Sequence, residues 1–147
     1  MTTSQSTARA LALGGDDSSF WGKKRLERLR KELNRSALLG RSGGRVVLYV
    51  KTLPGLDPNP HFEELSIKAR SRGWTVHRKI HDDAGGIQTD SEAWGELMTA
   101  LRGGLAQGLL APSYHHISMD AVRYANALHE VADLRCFTSL LVPEPST

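Results

Sequence analysis

The chain has 147 residues, 39% of them apolar and 24% charged, which is enough for one globular domain with its own hydrophobic core and excludes wholesale disorder. Cys136 is the only cysteine, so an intrachain disulfide and a cysteine-rich zinc site are excluded and a reducing, cytoplasmic compartment is the expectation. No run of residues has the length and apolarity of a membrane span, and Met1 to Leu13 lacks the apolar stretch of a secretory signal, so no membrane partner is expected.

Residues 1–17 read as a leader ending in Gly14, Gly15, Asp16 and Asp17, with Ser18 or Ser19 placed to cap a helix. The next segment, 18–40, reads as a basic amphipathic helix. Its charge is uneven with respect to the chain. Trp21 to Arg35 holds seven basic residues (Lys23, Lys24, Arg25, Arg28, Arg30, Lys31, Arg35) against Glu27 and Glu32, a local +5 within a total of +3, so the remainder carries −2. Such a segment gains a local attraction for phosphate or another acidic surface. Lys23, Lys24, Arg25, Arg28, Lys31 and Arg35 are the candidate contacts with DNA or another anion; the bland alternative is a solvated helix face. Leu26, Leu29 and Leu33 recur at helical spacing and form one apolar stripe, which needs a partner. Self-association, a protein partner, or the domain itself, with leader and helix as a tether docked on it, would supply it. Gly40, Ser42, Gly43 and Gly44 then end the helix.

From 45 to 142 strand and helix patterns alternate. Arg45 to Lys51 is an apolar run of the kind buried in a parallel strand. Pro54, Gly55, Pro58, Asn59 and Pro60 predict a loop, and Phe62, Leu65, Ile67 and Ala69 a helix stopping at Arg72 and Gly73. Thr75 to His81 is the second strand. After a loop with Asp82, Asp83, Gly85 and Gly86, a helix capped by Ser91 runs through Trp94, Leu97, Met98 and Leu101 to Gly103 and Gly104. Gly108 to Ala111 is a short strand, a helix begins at Ser118, and Cys136 to Val142 is the fourth strand before a tail at 143–147. This order predicts an α/β fold of three layers, with a mostly parallel sheet of four to five strands flanked by helices, resolvase-like or flavodoxin-like.

Over roughly Arg45 to Val142 the chain resembles the N-terminal catalytic domain of the resolvase and invertase family of serine recombinases. Where that family has a strand reading Tyr-x-Arg-Val-Ser, this chain reads Tyr49-Val50-Lys51-Thr52-Leu53: lysine replaces the arginine, and leucine the nucleophilic serine. The following landmarks match Gly73-Trp74, Asp82-Asp83-Ala84-Gly85-Gly86 and Asp90-Ser91-Glu92-Ala93-Trp94, without the family's arginine. Its Asp-Arg-Leu-x-Arg segment corresponds to His115-His116-Ile117-Ser118-Met119, where both arginines are missing. In-line attack on a phosphodiester needs an activated hydroxyl and guanidinium groups to hold the added charge. The resemblance therefore implies a domain without recombinase chemistry, with no catalytic residues, acting by association with DNA or with a protein partner.

In a parallel sheet, ligands gather outside the carboxyl ends of the strands. Lys51, Asp82, His115 and His116 fall at three such ends and form a candidate residual cleft. The alternative function is a phosphoester or nucleotide hydrolase using Lys51, Asp82 and His116, with the histidine as acid or base; the other alternative is an exposed rim with no ligand. The six histidines match no zinc spacing, and no metal or cofactor is expected. Trp74, Trp94 and Cys136 are expected to pack in the core.

Overall fold

A computed structural model describes residues 23–38, 44–83 and 92–145. The leader, the caps at Ser18, Ser19 and Ser91, the glycines at 40, 43, 85 and 86, and Ser42 lie outside the described residues, as do the side chains of Lys23 and Lys24. The elements in chain order are α1 (Lys23–Leu38), β1 (Arg45–Lys51), α2 (Asn59–Ser71), β2 (Thr75–Asp82), α3 (Glu92–Arg102), β3 (Gly108–Ala111), a single 3-10 turn (Tyr114–His116), α4 (Ala121–Asp133) and β4 (Phe137–Leu140).

The four strands form one parallel sheet in the order β2-β1-β3-β4. β1 lies inside the sheet, and successive side chains of a strand point to opposite faces. Val46, Leu48 and Val50 accordingly pack with Phe62, Leu65 and Ala69 of α2, and Val47 and Tyr49 with Trp94, Leu97, Tyr124 and Leu128 of α3 and α4. Every residue from Val46 to Lys51 is buried, which accounts for the continuous apolar run. The connection from β1 to β2 runs one way along the sheet and the next two run back. With crossovers of one hand, that reversal puts α2 on one face and α3 and α4 on the other.

Several boundaries differ from the sequence reading: β2 runs one residue further, to Asp82, and β4 is shorter, Phe137–Leu140. α2 starts at Asn59, inside the expected loop, because Pro60 stands in the first turn, where a missing N–H breaks no helical bond. α4 starts at Ala121, not Ser118: Asp120 is the cap, its carboxylate accepting from Val122 N–H at 2.9 Å, while Ser118 is fully buried in the preceding turn. The tail is part of the fold, with Glu144 only 2% exposed.

α1 is likewise built into the domain. Leu26 is buried in the core beneath α3 and α4, and Leu29 and Leu33 pack against the same cluster. Arg30 Nε donates to Glu144 Oε2 at 2.8 Å and its Nη2 to Oε1 at 3.2 Å; the Tyr124 hydroxyl donates to the same carboxylate. Asn34 bonds to the backbone of β4, and Ala37 reaches the cluster on the α2 face. The stripe read as a self-association face, Leu26, Leu29 and Leu33, thus packs on the domain's own core. The domain itself covers the stripe, because burying it intramolecularly removes the apolar area from water without the entropy of association.

Trp94 is buried edge-on against Tyr49, with ring centroids 5.6 Å apart, and Trp74 packs on Phe137 at 4.9 Å. Cys136 is buried, its Sγ 3.5 Å from Leu134 O and 3.9 Å from Ala106 O. Among the described residues no helix is long and apolar enough to cross a membrane.

Candidate functional site

The parallel register of β1 and β2 sets Lys51 opposite Asp82, so the final residues of both strands meet at the carboxyl end of the sheet. Both are withdrawn from solvent, at 8% and 4% exposure. Lys51 Nζ donates to Ile117 O at 3.2 Å, and Asp82 Oδ2 accepts from the Tyr49 hydroxyl at 3.0 Å. Burial lowers the lysine pKa below its ordinary value, against the opposing pull of the Asp82 carboxylate. Lys51 therefore ties the end of β1 to the turn after β3.

His116 joins this group and His115 does not. The Lys51 backbone N–H donates to His116 Nδ1 at 3.0 Å, which places the imidazole proton on Nε2. Burial, then the neighbouring charges of His61, His115 and Lys51, push the His116 pKa down to about 4, so the ring is a neutral donor at neutral pH. His115 is exposed and stacks on Tyr114, with ring centroids 4.2 Å apart. Three of the four expected cleft residues are thus brought together.

The sequence reading did not bring His61 to this region, nor pair Thr52 with His81 or Tyr49 with Asp82. Thr52 extends β1 by one bond, its N–H donating to Asp82 O at 2.9 Å, and its hydroxyl lies 2.8 Å from His81 Nε2. Leu53, at the position of the recombinase serine in the resemblance, is 64% exposed. His61, in the first turn of α2, meets His116 edge-on at 5.0 Å. These partners depend on register and on helix placement, for which residue spacing carries no signal. Among the described residues no three of His, Cys, Asp and Glu come together to hold a metal ion.

The second candidate is the outer face of α1. Arg25, Arg28, Lys31 and Arg35 are exposed, while Arg30, the inward member of the basic run, is consumed by Glu144. Lys31 pairs with Glu27 at 3.2 Å and Arg35 with Glu32 at 3.5 Å, one or two turns apart on the solvent side. Exposed pairs of this kind are weak and open to exchange with other anions.

No protein-family description and no curated protein sequence matches the chain. Solved structures do. The N-terminal catalytic domain of TP901-1 integrase superposes with a TM-score of 0.59 at 17% identity, covering 66% of this chain and 76% of that one. The C-terminal catalytic domain of ISC1926 TnpA, an IS607-like serine recombinase, gives 0.59 at 16% identity over 67% of this chain and 71% of that one. The four-stranded parallel sheet with its flanking helices has the fold of the serine-recombinase catalytic domains.

Proposed function

We propose that this chain is a catalytically silent domain of recombinase fold that acts in the cytoplasm by association with DNA, through the outward basic face of α1. One observation carries the reading: the inner side of α1 is fully engaged by the domain through Leu26, Arg30, Asn34 and Ala37, which holds Arg25, Arg28, Lys31 and Arg35 outward on a rigid support. Ordered cations lose little further freedom when they meet a phosphate backbone. The integrase and recombinase domains of the same fold add support for a DNA partner. Residue identity and the chemistry of the strand end support silence. Leu53 has no nucleophilic atom, Lys51 is tied to a carbonyl, and His116 is uncharged where the family's pattern calls for arginine.

The test is fluorescence anisotropy of labelled duplex DNA titrated with the full chain and with the Arg25→Glu, Arg28→Glu, Lys31→Glu triple variant, across a range of salt. Binding is expected to fall steeply with salt in the wild type, and the triple variant to lose affinity and flatten the logarithmic slope by about 0.9 per lost phosphate contact. Equal binding by both proteins, or none by either, would sink the proposal.

A phosphoester or nucleotide hydrolase using Lys51, Asp82 and His116 is the second reading, favoured by the neutral His116 beside a groove. It requires turnover of a phosphate ester that is lost in His116→Ala while circular dichroism is unchanged.

A further inference from the structure

The sheet order makes the crevice between β1 and β3 the point where chain connections diverge, and crevices of this kind at carboxyl strand ends are the usual ligand sites of parallel sheets. On the α2 side of that crevice lies a groove of about 510 Å³, lined by His61, Glu64 and Ile67 of α2, Pro112, Ser113 and His116 after β3, and Leu141 and Val142 after β4. Its volume lies within the range of small-ligand sites, about 300–1,000 Å³. Ile67 and Val142 are each 61% exposed at its edge, two large apolar side chains kept in water on either side of one opening.

The polar groups are as informative as the walls. His116 spends Nδ1 on the Lys51 N–H, so Nε2 keeps the proton and has no hydrogen bond among the described residues. Glu64 stands one turn beyond His61 on the same face of α2 and brings a carboxylate, an acceptor only. The groove thus offers a donor from one wall, an acceptor from another, and flat apolar and imidazole surface between them. A flat heteroaromatic with an acceptor nitrogen next to an amino group complements all three. Adenine and cytosine present that edge; thymine and uracil, with a carbonyl in place of the amino group, do not.

We propose that this groove binds an amino-bearing nucleobase, with His116 Nε2–H donating to the ring nitrogen and Glu64 accepting from the amino group. The base arrives either on a free nucleotide or on an unpaired nucleic-acid strand. The strand source rests on the DNA reading above and has a structural route: Val142 in the groove wall lies only two residues, about 7 Å of chain, from Glu144, which Arg30 of the basic helix holds.

The experiment is calorimetric titration of the full chain with AMP, CMP and UMP, and with oligo(dA), oligo(dC) and oligo(dT) of equal length. It is repeated on Glu64→Leu and Val142→Glu, both at exposed positions, and on the α1 charge-reversal triple variant. Oligo(dA) or oligo(dC) should bind about tenfold more tightly than oligo(dT), and Glu64→Leu and Val142→Glu should remove the preference. If AMP or CMP binds as tightly as its oligonucleotide, the natural source is a free nucleotide; if only the oligonucleotides bind, it is a strand. A preference that survives in the α1 variant shows the groove acting even where the helix reading fails. Equal binding of all bases, or a preference untouched by both groove variants, overturns the inference.

Discussion

The side-chain amide of Asn34 exchanges two hydrogen bonds with the backbone of Thr138, Nδ2 donating to the carbonyl at 2.7 Å and the Thr138 N–H donating to Oδ1 at 2.9 Å. Among the described residues β4 is the last strand of the sheet, and its outer edge meets no further strand. Asn34 supplies the donor and acceptor that a strand would have presented, and an edge covered in this way is a poor template for another chain.

Asn34→Ala should leave both Thr138 groups, at a residue 2% exposed, without their partner. The expected loss is about 2–4 kcal/mol, read as a lower urea midpoint at unchanged slope. Asn34→Asp sets a carboxylate oxygen against the Thr138 carbonyl in a buried site and should not rescue the loss. An unchanged midpoint in Asn34→Ala would mean that α1 contributes nothing to the edge.

The Arg30–Glu144 pair should behave as a buried ion pair, its side chains being 10% and 0% exposed. Arg30→Met strands a carboxylate in the interior and should destabilise by about 3–5 kcal/mol. Arg30→Met combined with Glu144→Leu removes both charges and should recover part of the loss, the Tyr124 hydroxyl still lacking its acceptor. Deleting residues 143–147 should lower the urea midpoint as well, which a loose tail would not do.

Tyr124 predicts an alkaline limb in stability. Its burial, reinforced by the charge and hydrogen bond of Glu144 and opposed by Arg30, raises the phenol above its ordinary value of 10.0. Below about pH 10 the phenol is neutral in both folded and unfolded chains, so the contribution is fully present. Above that, the unfolded phenol ionises while the folded one keeps its proton, and stability falls as pH rises. Urea midpoints measured on both sides of pH 10 should show the decline, and Tyr124→Phe should remove that component.

His116 makes the opposite prediction on the acid side. With a folded pKa of about 4 against an ordinary 6.5, its contribution to stability is present above 6.5 and is lost as pH falls toward 4. Nitrogen-detected NMR should show the Nε2–H tautomer and no titration of this ring between neutral pH and about 5. An Nδ1–H signal would contradict the bond from Lys51.

Restoring a hydroxyl at the recombinase serine position should not restore chemistry. Leu53→Ser places a nucleophile on an exposed site, beside a Lys51 tied to a carbonyl and a neutral His116. Denaturing gels are expected to show no covalent protein–DNA species for this variant, and supercoiled plasmid should stay intact with the wild type. Nicking that vanished in Thr52→Ala would instead make the Thr52–His81 pair catalytic.

What the sequence by itself determined was the order and type of the elements. Val46 to Val50 admitted only a strand buried on both faces, and Trp94, Leu97, Met98 and Leu101 only a helix with one inward side, because burial imposes its period on the chain locally. The identities Lys51, Leu53 and His116 were equally legible, since identity needs no structure. The tertiary structure alone decided which partner each side chain met. Leu26, Leu29 and Leu33 announced an apolar stripe without saying whether the domain or a second molecule covered it, and Glu144 gave no sign of meeting Arg30, 114 positions away. Likewise, His115 and His116 are neighbours in sequence, yet a 3-10 turn sends one ring onto Tyr114 and the other to the Lys51 N–H. Local periodicity reports that a side chain is buried; only the register of parallel strands and the docking of helices across the sheet determine against what.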